Sequence, residues 1–269
     1  MEKRHGIHVL SISGGKLSSN PEEATNFFKK FEDLVKEKAL SIQQIYNVDE
    51  TDLYYRILPT KTLASRKEVA APGYKRNKDR VTVSLCGNAS GTHKLPVILI
   101  GKSVKPRVFK NITVKSLPVH YTPSKTVWMN QDLLIEWFHS EFVPSAKKHL
   151  KSQKLPIKAL LLLDIAPFPP SEDELKDDNI QSVFFPPNVK ALIQPMDQGV
   201  IESVNRKYRR KLLTDLSEED GKNISVIDLL KQINVKEVVY MIDESWSVEA
   251  TGIHASEVVA KYLVTKSNQ

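Results

Sequence analysis

Ala159-Leu160-Leu161-Leu162-Leu163-Asp164 is a short, continuous apolar run that ends abruptly in an acid. It lacks the alternation of a half-buried strand. It suits a central strand covered on both faces, as found where helices sandwich a sheet. The run therefore predicts a three-layer α/β domain. It also sets Asp164 at the carboxyl end of a rigid element, where ligands gather in open α/β sheets.

Upstream of this run, Asn130 can cap a helix whose apolar positions are Leu133, Leu134, Trp137, Phe138 and Phe142. Residues 80–88 (RVTVSLCGN) and 95–101 (LPVILIG) flank a turn signal at 89–92 and predict a β-hairpin. Residues 102–127 are basic and broken by proline, and read as loops with one or two short strands. Residues 58–78 are polar and basic, with no clear period. Residues 42–49 form a partly apolar run that predicts a strand ending at Asp49. Asn20-Pro21-Glu22-Glu23 opens an amphipathic helix over 21–38, with Phe27, Phe28, Phe31, Leu34 and Val35 at helical spacing. Downstream, Ser171 predicts the start of a short helix and 182–185 a strand. Pro186-Pro187-Asn188 breaks the chain. Residues 195–213 then read as a basic helix with Asp197 in its first turn, and 226–247 as one or two more helices.

The chain has 269 residues, 41% hydrophobic and 26% charged, enough to bury a sizeable core. Lys and Arg outnumber Asp and Glu by 39 to 32, a formal charge of +7 that favours polyanions. The single cysteine, Cys86, excludes an internal disulfide, and no Cys/His spacing suggests zinc. No apolar stretch approaches the roughly 20 residues needed to cross a bilayer. A soluble intracellular chain without membrane contact is the expectation.

Three acids stand at element boundaries: Asp49, Asp164 and Asp197. Taken singly, each fits the commoner role of a cap. Taken together, carboxylates from three elements could hold two divalent metals about 3.5–4 Å apart, the arrangement that cleaves phosphodiesters. Mg²⁺ prefers such hard oxygen donors.

The words around these acids carry a resemblance. Ile45-Tyr46-Asn47-Val48-Asp49-Glu50-Thr51 resembles the first-Asp motif of the Tigger/pogo transposases, usually N-x-D-E-T-G. Residues 82–94 (TVSLCGNASGTHK) and 100–110 (IGKSVKPRVFK) are similar to the family's next strands and basic loop. Trp128-Met129, before the helix, is also similar. Residues 160–167 (LLLLDIAP) resemble its second-Asp motif, and 184–199 (FFPPNVKALIQPMDQG) its third. The family also holds jerky-like proteins and centromere protein B. The resemblance implies an RNase H-like fold: a mixed five-stranded sheet flanked by helices. It implies a DDE superfamily endonuclease ancestry, a nuclear location, and Asp49, Asp164 and Asp197 as metal-binding carboxylates for Mg²⁺ or Mn²⁺. The expected division is a junction and helix over 1–40, a catalytic core over 41–215 and a helical extension over 216–269. In relatives, helix-turn-helix modules precede the core. Lys3 to Ile7 is similar to the junction after those modules, which are absent here.

Departures from the motifs predict weakened catalysis. Ile165 stands where the family often has Asn, Phe168-Pro169-Pro170 lacks its His, and Asp52 replaces its Gly. An Ile beside a metal site cannot orient a ligand, and losing outer hydrogen bonds commonly costs roughly 10–100-fold in affinity or activity.

Basic clusters are candidates for DNA contact. They are Lys75, Arg76 and Lys78 with Arg80; Lys102, Lys105 and Arg107 with Lys110; and Arg206, Arg209 and Arg210 on one face of a helix. Such residues would hold the phosphate backbone without reading sequence. The third cluster alone equally fits a solvated helix face. Among the tryptophans, Trp137 reads as core and Trp128 is open to base stacking. Ser13-Gly14-Gly15-Lys16-Leu17 fails the phosphate-loop pattern, since Leu10 and Leu17 stand where Gly and Ser or Thr are needed. The favoured reading is a transposon-derived DNA-binding protein with a weakened DDE core. An active transposase and a protein-interaction scaffold are the alternatives, and a homodimer stays open.

Overall fold

The hairpin and the apolar run organise one sheet. The computed structural model describes residues 20–57, 78–164, 170–218 and 226–248. Its strands are β1 (Ile45–Leu53), β2 (Val81–Asn88), β3 (Ile98–Gly101), β4 (His120–Pro123), β5 (Ala159–Leu163), β6 (Lys176–Asp177) and β7 (Ile180–Phe184). They lie in the order β4-β3-β2-β1-β5-β7-β6. β1, β2 and β3 form an antiparallel meander, as the hairpin signal predicts. β5 and β7 run parallel to β1, β4 runs parallel to β3, and β6 closes its edge antiparallel.

The sheet has seven strands, not the expected five. The central five, β3-β2-β1-β5-β7, are the mixed sheet that the resemblance implied. β4 and β6 are extra edges with little strand character in sequence: β4 ends in Pro123, and β6 is Lys-Asp. Proline tolerated at an edge and charge on an edge are both ordinary.

Helices cover both faces. They are α1 (Pro21–Glu37), α2 (Gln131–Trp137), α3 (Val143–Ser152), α4 (Lys190–Ile193), α5 (Val200–Glu218), α6 (Val226–Gln232) and α7 (Val235–Val248). Asn20 caps α1 by accepting from the N–H groups of Glu22 and Glu23, and Asn130 caps α2 through Leu133 N–H. A π turn (Phe138–Phe142) joins α2 to α3. It falls just before Pro144, which has no N–H for the helix ladder.

β5 is buried along its whole length. Leu160 and Leu162 pack against Phe27, Phe31 and Ile193 from α1 and α4. Leu161 and Leu163 pack with Trp137, Phe142 and Leu150 on the opposite face. Each such leucine contributes about 1.5–3 kcal/mol by leaving water. A third cluster joins β2 and β3 to α5 and α7 through Val83, Leu99, Tyr208, Ile242 and Trp246.

Three local expectations change. β1 does not end at Asp49; pairing with β2 carries it to Leu53. Ser171 starts no helix. Its side chain and N–H meet Glu174 Oε2 as in a cap, but buried Leu175 and the β6–β7 pairing turn the chain into a strand. Asp197 lies in a separate 3-10 turn (Pro195–Asp197), because Gly199 at φ 102° interrupts the backbone before α5.

Candidate active site

The sheet register brings two of the three acids together. Parallel pairing of β1 with β5 ends at Asn47 opposite Leu162. Two residues further on are Asp49, within β1, and Asp164, just past the end of β5. Both side chains reach Lys190, whose Nζ lies 3.0 Å from Asp49 Oδ1 and 3.1 Å from Asp164 Oδ2. Lys190 begins α4, which is anchored in the core by buried Val189 and Ile193. Asp49 is sealed in, with its side chain 3% exposed, whereas Asp164 and Lys190 are at 36% and 39%. Asp49 Oδ2 is buried and has no hydrogen-bond partner.

Asp197 is exposed, and a buried amide clamp sets its turn. Asn47 Nδ2 donates to Leu162 O at 3.1 Å and to Gln194 Oε1 at 2.7 Å, while Met196 N–H donates to Asn47 Oδ1 at 3.1 Å. The clamp ties residues 194–196 to β1 and β5, and thereby sets Asp197 where its charge acts on Asp49. No three His, Cys, Asp or Glu among the described residues stand as a ready metal-binding group. Asp49 and Asp164 are brought together, and Asp197 is their electrostatic neighbour.

Burial pushes the Asp49 carboxyl up to about 6; the Lys190 charge pulls it back and the Asp197 charge raises it further. Glu50 is pushed up to about 7, first by burial and then by the charge of Asp49. Lys190 and the N–H of Met129 act against that rise. Burial also works against the charge of Lys190. Asp49 and Asp164 outweigh it and hold the ammonium above the usual lysine range. Two carboxyl groups, those of Asp49 and Asp164, share the single ammonium of Lys190. The donors of this cluster are hard oxygens, and one is a buried, unpartnered carboxylate oxygen. Such a donor set fits Mg²⁺ or Mn²⁺.

The basic candidates do not form one group. Lys78, Lys102, Lys105, Arg107 and Arg210 are exposed, Arg209 is half-buried, and Lys75 and Arg76 lie outside the described residues. On α5, Val200, Val204, Tyr208 and Leu212 are buried at intervals of four, which turns Arg206 and Arg210 outward. Arg206 is paired with Glu202 at 2.9 Å, so part of its charge is already answered. Trp137 and Trp246 are core residues, as expected of Trp137, while Trp128 is 44% exposed. The Arg80 guanidinium lies 4.9 Å from the Trp128 ring centre, and Arg80 pairs with Asp52 at 2.6 Å. Cys86 is buried. Of the departures behind the expectation of weakened catalysis, Ile165, Phe168 and Pro169 lie outside the described residues, Pro170 is buried and Asp52 lies on β1, paired with Arg80.

Sequence reading missed Lys190, Glu50, Asn47 and Gln194. Asn47 and Glu50 flank the first acid, and Lys190 and Gln194 precede the third, so proximity to the motifs was the one available signal.

A model of the family described as DDE superfamily endonuclease matches residues 78–256. The human Tigger transposable element-derived protein 7 is 41% identical over 257 residues, covering 90% of this chain and 47% of the relative. The human Jerky protein homolog is 41% identical over 207 residues, covering 76% and 36%. The chain thus spans about half or less of these relatives. Among solved structures, the Mos1 mariner paired end complex with Mn is 14% identical with a TM-score of 0.51, covering 98% of this chain and 68% of that one. The corresponding complex with Mg is 12% identical, also at 0.51. That likeness concerns the fold, which is the RNase H-like, three-layer α/β class that the sequence pointed to. The chain belongs to the DDE superfamily endonuclease family.

Proposed function

We propose that this chain is a transposon-derived, nuclear DNA-binding domain whose DDE endonuclease core has weakened metal chemistry. The observation that carries this reading is the Asp49–Lys190–Asp164 cluster. Two acids just beyond the β1–β5 pairing face one shared position, and a lysine of the same chain stands in it. In this reading Asp49 and Asp164 are the principal metal carboxylates, with Asp197 completing the set. A bound Mg²⁺ or Mn²⁺ would stabilise charge on phosphodiester oxygens and supply a nucleophilic water. Lys78, Lys102, Lys105, Arg107, Arg209 and Arg210, with Lys75 and Arg76, would hold the DNA backbone without reading bases.

One observation favours an active endonuclease as the second reading. The unpartnered Asp49 Oδ2 offers a cation ligand that Lys190 leaves unused. Binding and nicking of supercoiled plasmid in Mn²⁺, wild type against Asp164→Asn, test both readings. Affinity for duplex DNA is expected to fall by at least about tenfold between 50 and 200 mM salt. Nicking is expected to be slow, and lost in Asp164→Asn. Absent or salt-insensitive binding overturns the proposal. Rapid nicking that requires Asp164 establishes the second reading instead.

A further inference from the structure

Lys190 is held at the acid pair from two sides. Its backbone belongs to a short helix fastened by Val189, at 0% exposure, and Ile193, at 2%. Its ammonium lies within 3.1 Å of one oxygen from each acid. A Mg²⁺ ion bound by those two oxygens would need each at about 2.0–2.1 Å. An ammonium and a metal cannot share that position, and they compete for the same oxygen lone pairs. Without the ammonium, the buried carboxylate of Asp49 and the half-exposed one of Asp164 would face each other with their mutual repulsion unrelieved by Lys190, a costly arrangement.

We propose that Lys190 is a built-in counter-ion occupying the cation position between Asp49 and Asp164, and that a divalent metal binds there only by displacing it. The inference rests on the proposed metal role of these acids. It gives the weakened chemistry a cause within the third motif, independent of Ile165. The lysine stabilises the metal-free fold and lowers the apparent metal affinity, since every binding event must break two ion pairs. With its side chain 39% exposed, the displaced ammonium can turn into solvent without crossing the core. Lysine stems extend readily in this way.

The test is Mn²⁺ titration of the full chain by calorimetry and by thermal melting, in wild type, Lys190→Met, Lys190→Arg and Asp49→Ala. Lys190→Met keeps the aliphatic stem without the charge. It should bind Mn²⁺ at least about tenfold more tightly than wild type, as expected when a close charge pair no longer competes. Its metal-free melting temperature should fall. Lys190→Arg keeps the charge and should bind Mn²⁺ no more tightly than wild type. Equal or weaker Mn²⁺ affinity in Lys190→Met overturns the inference while leaving the metal role of the acids intact. Mn²⁺ binding that survives Asp49→Ala overturns both. Should Lys190→Met fail to fold, the wild type supplies the answer through the NMR signal of the Lys190 side chain during Mg²⁺ titration. That signal must move toward a solvated lysine as Mg²⁺ saturates. Saturation with the signal unmoved overturns the proposal.

Discussion

The ring of His93 stacks on that of His149 at 4.3 Å, with Tyr46 Oη 2.8 Å from its Nδ1 and Ser145 Oγ 3.2 Å from its Nε2. Tyr46 lies on β1 three residues before Asp49, so this contact fixes the acid-bearing strand against α3. Burial, and then the neighbouring His149, lower His93 to about 4 from an ordinary 6.5. The native state therefore holds the ring neutral, while the unfolded chain takes up a proton below pH 6.5. At His93 the unfolded state binds more protons in that window, so its contribution to stability falls as pH drops from 6.5 to 4, while the raised carboxyls of Asp49 and Glu50 act in the opposite sense. In His93→Gln, which keeps polar atoms for Tyr46 and Ser145, this contribution disappears, so the slope of urea-unfolding free energy against pH should be lower than in wild type between 6.5 and 4. An unaltered slope would assign the acid limb to other groups.

At the scale of elements, the site depends on a clamp rather than on any single secondary structure. Asn47 is 5% exposed and Gln194 fully buried, so each amide must find its partners within the protein. Asn47→Ala removes the hydrogen bonds to Leu162, Gln194 and Met196, with a longer one to Val48 O. We expect a loss of about 2–4 kcal/mol in unfolding free energy, with faster hydrogen exchange at the Met196 N–H. Protection at Met196 equal to wild type would mean that the turn carrying Asp197 is held by other contacts. The same elements divide into those legible in sequence and those that were not. β5 was legible because four consecutive leucines have one physical explanation, burial on both faces. α1 was legible through the Asn20 cap and its spaced phenylalanines. The apolar run stops at Val48 and so predicts a strand end at Asp49; the strand continues because β2 supplies its hydrogen bonds regardless of side chain. α4 was illegible, since four residues cannot show a helical period. The role of Lys190 was hidden for a deeper reason: its partner Asp49 is 141 residues away, and no local rule pairs them.

At the scale of the whole molecule, the last described helix is built into the sheet that carries the site. Trp246 is 2% exposed and its Nε1–H donates to Leu95 O at 2.9 Å. Lys94 lies 4.8 Å over the same ring and donates to the carbonyls of Trp246 at 2.5 Å and Ser247 at 3.1 Å, satisfying the end of α7. Lys94 and Leu95 lead into β3, two strands from β1. Lys211 of α5 meets Glu244 of α7 at 2.5 Å, and Tyr208 of α5 donates to Tyr55 O just beyond β1. These links run from α7 through α5 to the strand bearing Asp49, within one apolar cluster. Cooperative unfolding follows from that continuity, because no plane through the cluster separates α7 from the sheet without exposing apolar surface. Trp246→Ala should therefore lower stability by roughly 3–5 kcal/mol, the usual cost of emptying a large aromatic site. Far-UV circular dichroism and tyrosine fluorescence should report a single shifted denaturation midpoint. If α7 were an independent appendage, the substitution would melt the helix alone and leave the main transition in place. That result would separate α7 from the core that positions the acids.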